Sequence, residues 1–283
     1  MFFSAIIEKC LGQSVQEISA LAGGDINEVY KVSLSRSQVV VKINKKDAFP
    51  EMFNREASGL KLLSSAGCTT PEIIGSFTKE NYQLLVLEYL PEERPTLKYW
   101  ETFGIHLARL HQFSSDAFGL EEENYIGSLS QINGWRSNWP DFFIECRLLP
   151  MISRAFDRSL LDKTHKKEFE SLFLRMKELV PNEPASLLHG DLWSGNLMCG
   201  LEQNPVFIDP AVYFGHREVD IAMTYMFGGF DPSYLESYTD VFPLEAGWEN
   251  RLELHNLYPY LVHLNLFGRS YLGRIEQILK RYS

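Results

Sequence analysis

The chain has 283 residues, of which 45% are hydrophobic and 23% charged, a balance that supports a buried core and excludes intrinsic disorder. The length fits one large domain or two packed lobes. A formal net charge of -10 argues against a nucleic-acid partner, which calls for a clustered basic stripe, and it accommodates cationic small substrates.

The opening run Met1–Lys9 lacks a basic n-region, and charge interrupts its apolar residues too early for a signal peptide. No stretch of about 18 consecutive apolar residues offers a membrane span. Four cysteines, Cys10, Cys68, Cys146 and Cys199, are scattered without a CxxC pair, which fits reduced thiols and gives no zinc or thioredoxin-type motif. A cytoplasmic protein with no membrane partner is expected.

Strand-like runs follow at Val15–Leu21, Val29–Leu34, Val39–Ile43, Ile73–Phe77 and Gln83–Glu88, rich in β-branched residues and separated by turn chemistry. They predict an antiparallel sheet. Between the third and fourth, Phe53, Ala57, Leu60 and Leu63 recur at helical spacing within Pro50–Ser65. Pro91-Glu92-Glu93-Arg94-Pro95 then reads as a connector. Helical periodicity dominates beyond it, over Leu97–Phe113, Asp141–Leu160, His165–Leu179, Val219–Phe227, Trp248–Leu266 and Tyr271–Tyr282. Short apolar runs at Leu187–Leu188, Leu197–Cys199 and Val206–Ile208 bracket a dense polar loop. The expected fold is α+β and two-lobed: an N-terminal antiparallel sheet lobe with one helix (1–90), a connector (91–96), and a larger, mainly helical C-terminal lobe (97–283).

The polar loop carries the chemistry. His189-Gly190-Asp191 is followed five positions on by Asn196, and Asp209 ends an apolar run thirteen residues later. Phosphoryl transfer needs one carboxylate to orient an acceptor hydroxyl and take its proton, with hard oxygen ligands for Mg²⁺ on the phosphates. Asp191 fits the first role, and Asn196 with Asp209 the second; the same order and spacing occur in protein-kinase catalytic loops. Lys42 ends the run Val39–Lys42, where a lysine reaches the α- and β-phosphates of ATP, and Glu56 on the following helix is placed to hold it by an ion pair. Gly23 and Gly24 are expected to bring backbone N–H groups near the phosphates, although neither GxGxxG nor a P-loop is present. Glu88, Tyr89 and Leu90 precede the connector, where backbone groups could meet an adenine edge.

Other polar residues read as structural. Asp220 sits in an apolar helical stretch, and backbone N–H groups of the catalytic loop are suitable donors for its buried carboxylate. His106 and His111, five apart on one helix, do not share a face for a metal. Trp135, Trp139, Phe142 and Phe143 read as packing.

His189–Asp191 and Ile208–Pro210 resemble the HGD and IDP signatures of the aminoglycoside phosphotransferase and choline kinase-like branch of the kinase fold. Within it the chain resembles the fructosamine kinase (ketosamine kinase) family nearly end to end. The likeness is carried by Gly23–Tyr30, Gly104 with Leu107–His111, Asn124–Gly127, Gln131–Gly134, Trp139–Phe143 with Arg147-Leu148, Leu192–Asn196, Asp209–Glu218 and His263–Gly268. The resemblance implies an ATP- and Mg²⁺-dependent kinase that phosphorylates a sugar hydroxyl of ketosamines, free or protein-bound, in deglycation. A monomer is expected, with a dimer left open. Many eukaryotic relatives carry a cysteine in the nucleotide loop; Gly23–Tyr30 has none, so redox switching there is not expected. A kinase of another hydroxylated amine, of aminoglycoside or choline type, and an inactive kinase-fold scaffold are the alternatives.

Overall fold

The computed structural model describes residues 2–21 and 26–283. It opens with a helix additional to those expected, α1 (Phe2–Leu11). Ile6, Ile7, Cys10 and Leu11 give it one apolar stripe, and Ile6 and Ile7 are buried against the sheet. The five expected strands form: β1 (Val15–Ala20), β2 (Glu28–Leu34), β3 (Gln38–Lys45), then, after α2 (Met52–Ser65), β4 (Ile73–Lys79) and β5 (Tyr82–Glu88). They pair antiparallel in the order β1-β2-β3-β5-β4.

Alternation along β3 decides which residues meet which helix. Val39, Val41 and Ile43 pack with Leu84, Val86 and α1. The opposite face sets Leu85 and Leu87 against Met52, Phe53, Ala57 and Leu60 of α2. A period of two therefore turns Lys42 toward α2. Glu56 falls within the buried stripe of that helix, between Phe53 and Leu60. Full burial of a side chain such as Phe53 contributes about 1.5–3 kcal/mol, so the placement of this pair is backed by the surrounding core.

Past β5, residues 89–96 have no regular structure, and the Glu93 N–H donates to the Cys199 carbonyl at 2.7 Å. The larger portion begins with α3 (Leu97–Gln112), the short strand β6 (Ser114–Ser115) and the hairpin β7 (Asn124–Ile126) and β8 (Leu129–Gln131). Next come α4 (Trp139–Phe142), a π-helical turn Phe143–Leu148, α5 (Leu149–Asp157) and α6 (Lys163–Leu179). The strands β9 (Ala185–Leu188), β10 (Leu197–Cys199), β11 (Pro205–Phe207) and β12 (Tyr213–Gly215) lead into α7 (Glu218–Met226), α8 (Ser233–Val241), α9 (Leu252–His255), α10 (Leu257–Phe267) and α11 (Leu272–Tyr282). An N-terminal antiparallel sheet with a larger helical portion matches the expected class.

Two expected helices are interrupted. Over Asp141–Leu160, Pro150 lacks the N–H that would bond the Cys146 carbonyl, and the π-turn lets Arg147 Nη1 take that carbonyl at 3.1 Å. Over Trp248–Leu266, the chain breaks at Asn256, whose Nδ2 donates to the Ala222 carbonyl at 2.8 Å. Among the described residues, no helix is long and apolar enough to cross a membrane.

Candidate active site

β9 is buried along its whole length as the middle strand of the sheet β12-β9-β6, so the loop leaving it starts from a fixed point. His189 is fully buried; its Nε2 donates to the Ile208 carbonyl at 2.9 Å, and its Nδ1 accepts the Asp191 N–H at 3.3 Å. Burial pushes the His189 imidazole pKa down, so the ring serves as a neutral spacer. Asp220, in the first turn of α7, accepts the N–H groups of His189 at 2.7 Å and Gly190 at 3.0 Å and meets His111 Nε2 at 3.2 Å. This is the structural role its sequence context suggested. Gly190 has φ 83°, and a Cβ there would lie 2.1 Å from the Ala211 carbonyl oxygen, so no other residue fits.

The held loop presents Asp191 beside Asn196, whose Nδ2 donates to the Asp191 carbonyl at 2.9 Å and to its Oδ2 at 3.1 Å. The Asn196 Oδ1 is left as an oxygen available to a cation. Ile208 N–H bonds the Asn196 carbonyl at 3.1 Å, and Asp209 follows in the left-handed region at φ 55°, a conformation Asp tolerates better than most residues. Lys42 Nζ meets Glu56 Oε1 at 2.7 Å and also contacts Asp209 Oδ1. Burial works to lower the Lys42 pKa, but the two carboxylates prevail and raise it, so the ammonium persists. Burial, reinforced by the facing Asp209, pushes the Asp191 carboxyl up to about 7.

These five residues share one cleft of about 790 Å³. Its donor set, two carboxylates and a carboxamide oxygen, suits a hard divalent cation. Gly23 and Gly24 lie outside the described residues; Ile26 and Asn27, just beyond them, line the cleft. Glu88, Tyr89 and Leu90 are not among the lining residues. Glu88 Oε2 accepts the Glu72 N–H at 3.3 Å, and Lys31 Nζ lies 3.9 Å from the Tyr89 ring centroid.

Further walls come from residues given no site role in the sequence reading: Tyr125 in β7, Trp193 in the loop, and Phe227, Tyr258 and His263. His263 Nδ1 donates to the Pro259 carbonyl at 2.8 Å, which fixes the tautomer. Helical spacing made these C-terminal residues resemble core positions, and no local signal separates the two. Trp139, Phe142 and Phe143 are buried packing residues, whereas Trp135 is 40% exposed.

Away from the cleft, His216, Glu218 and His255 form a buried cluster. Arg251 already occupies the Glu218 carboxylate with bonds of 2.8 and 2.6 Å, and His255 Nε2 meets it at 3.1 Å.

A family model described as "Fructosamine kinase" matches residues 2–283. The chain is 37% identical over 276 residues to a probable ketoamine kinase of Enterococcus faecium, covering 94% of this chain and 95% of the relative. A Thermobifida fusca crystal structure assigned as a fructosamine-3-kinase superposes with a TM-score of 0.87 at 33% identity, covering 98% of this chain and 96% of the other. A thermostable mutant of aminoglycoside phosphotransferase APH(4)-Ia, in an apo crystal form, gives a TM-score of 0.64 at 16% identity over 98% of each chain, a likeness of fold alone.

Proposed function

The chain belongs to the fructosamine kinase family, and on that premise we propose that it is an ATP-dependent phosphotransferase acting on a sugar hydroxyl of ketosamines such as fructosyl- and ribulosyl-amines. The observation that carries the reading is Lys42 held between Glu56 and Asp209 in the cleft that also holds Asp191 and Asn196.

Lys42, kept charged by its two carboxylates, binds the α- and β-phosphates of ATP. Asn196 and Asp209 supply the oxygens that would hold Mg²⁺, which neutralises phosphate charge when bound. Asp191 aligns the acceptor hydroxyl. The hydroxyl oxygen attacks the γ-phosphorus, the bond to the β-phosphate oxygen breaks with its electron pair leaving on ADP, and the hydroxyl proton passes to Asp191 late in a loose transition state. Positioning and electrostatics carry most of the barrier reduction. The acidic chain tolerates the basic amine of the adduct, and phosphorylation of that adduct is the step that serves deglycation of amines or proteins.

Turnover of fructosyl- and ribulosyl-amines, free and on protein, compared with an aminoglycoside and choline under identical ATP and Mg²⁺, tests this. Ketosamines should be the preferred acceptors. Inert ketosamines beside an active aminoglycoside or choline would overturn the substrate class, and nucleotide binding without transfer to any acceptor would favour the scaffold alternative.

A further inference from the structure

The helix that carries Glu56 begins without a cap of its own. Glu51 at its N-terminus stands at φ 60°, and no side chain there accepts the first N–H groups. Its first turn is held from across the cleft instead. Tyr125 Oη in β7 donates to the Pro50 carbonyl at 2.9 Å, the Tyr125 ring meets Phe49 edge-on at 6.4 Å, and Arg55 pairs with Glu122 just ahead of β7.

The same hairpin rests on the segment after Asp209. Asn124 Nδ2 donates to the Val212 carbonyl at 2.8 Å, and Gln131 Nε2 donates to the Ala211 carbonyl at 3.0 Å. Lys42 closes the circuit by contacting both Glu56 and Asp209. One small hairpin therefore ties the helix bearing the lysine's anchor to the strand end bearing Asp209.

We propose that β7–β8 is a clasp that sets α2 in its productive position, with Tyr125 and Glu122 as positioning residues that act on nucleotide binding through Glu56 and Lys42. The inference rests on the reading of the cleft as a nucleotide site. An uncapped first turn frays readily, and fraying by one turn reaches Glu56. Small displacements of a phosphate-binding group are costly, since positioning is most of what such a site supplies.

The test uses the full chain as wild type, Tyr125→Phe and Tyr125→Phe/Glu122→Gln. Three quantities are measured: hydrogen exchange of the amides of residues 55–59 without ligand, ADP affinity in the presence of Mg²⁺, and KM for ATP and for a fructosyl-amine. Exchange at 55–59, the Kd for ADP and the KM for ATP should each rise about threefold to tenfold, the equivalent of one lost hydrogen bond. The KM for the fructosyl-amine should stay at its wild-type value, and the Tm should fall by no more than about 2–6 °C, so that the chain remains folded at the assay temperature. Unchanged exchange at 55–59 overturns the clasp, and so does an effect confined to the fructosyl-amine KM, which would make Tyr125 a substrate contact. A wild type inert on every ketosamine would sink the proposed substrate class alone, because exchange and ADP binding on the same samples still decide the clasp.

Discussion

Asp191 has its backbone fixed from several directions, by His189, by Asn196 and through Asp220, so replacing its side chain isolates its chemistry. Asp191→Asn keeps the shape and removes the proton acceptor. Turnover on a ketosamine should fall by about 10²–10⁴-fold, the usual size of a general-base contribution, with the KM for ATP little changed; a variant with wild-type turnover would remove Asp191 from the mechanism. Its candidacy was legible because Asp, Asn and Asp stand in the order that metal-assisted phosphoryl transfer requires. Lys42 was legible for a different reason, as a charge closing a β-branched strand with a carboxylate on the next helix. Tyr125 and His263 were not, since their roles depend on neighbours far away in the chain.

At the scale of elements, close approach of helices fixes the frame behind the His189–Asn196 loop. At Gly104 in α3, an added Cβ would lie 2.0 Å from the Tyr234 carbonyl oxygen of α8, and backbone cannot yield as a side chain tip can. The contact matters to the site because α3 also carries His111, which meets Asp220 and Tyr238 at 3.2 and 2.8 Å. Gly104→Ala should cost about 1–3 kcal/mol through overpacking, read as a lower urea midpoint. An unchanged midpoint would show that the two helices separate freely. The strands and α2 were readable from periodicity, because a buried face imposes its own spacing. The break at Asn256 was not: it answers the Ala222 carbonyl, 34 residues away, to which the Asn256 Nδ2 donates.

For the molecule as a whole, the buried cluster behind the site links stability to pH. Burial and the neighbouring His255 push the His216 imidazole from its ordinary 6.5 down to about 3. Burial opposes ionisation of Glu218, yet Arg251 and His255 prevail and bring it from 4.5 down to about 2. In both windows the unfolded chain binds more protons than the folded one, so stability is full above the unfolded values and is lost as pH falls. Asp191, raised from 3.8 to about 7, and Glu56, also raised by burial, work in the opposite direction, and Glu218 hardly titrates above 4.5. Burial lowers the imidazoles of His106, His111, His189 and His263 as it does that of His216, so five groups stand against two over the range 4.5 to 6.5. The Tm should fall between pH 6.5 and 4.5, by about 2–4 °C for each kcal/mol lost in a chain of this general size. His216→Asn should flatten that slope, and a Tm independent of pH in this range would contradict the account.

By itself, the sequence determined the class of fold and the identity of the five residues at the centre of the cleft, because periodicity, charge and spacing are local properties. It also carried the family likeness in stretches such as Asp209–Glu218. Only the tertiary structure decided that Lys42 touches Asp209 as well as Glu56, that Glu88–Leu90 stand apart from the cleft lining, and that the hairpin at Tyr125 reaches α2. The contacts of Lys42 and Tyr125 join segments separated by up to 167 positions. They arise when buried faces pack, and local spacing carries no record of which distant face will be the partner.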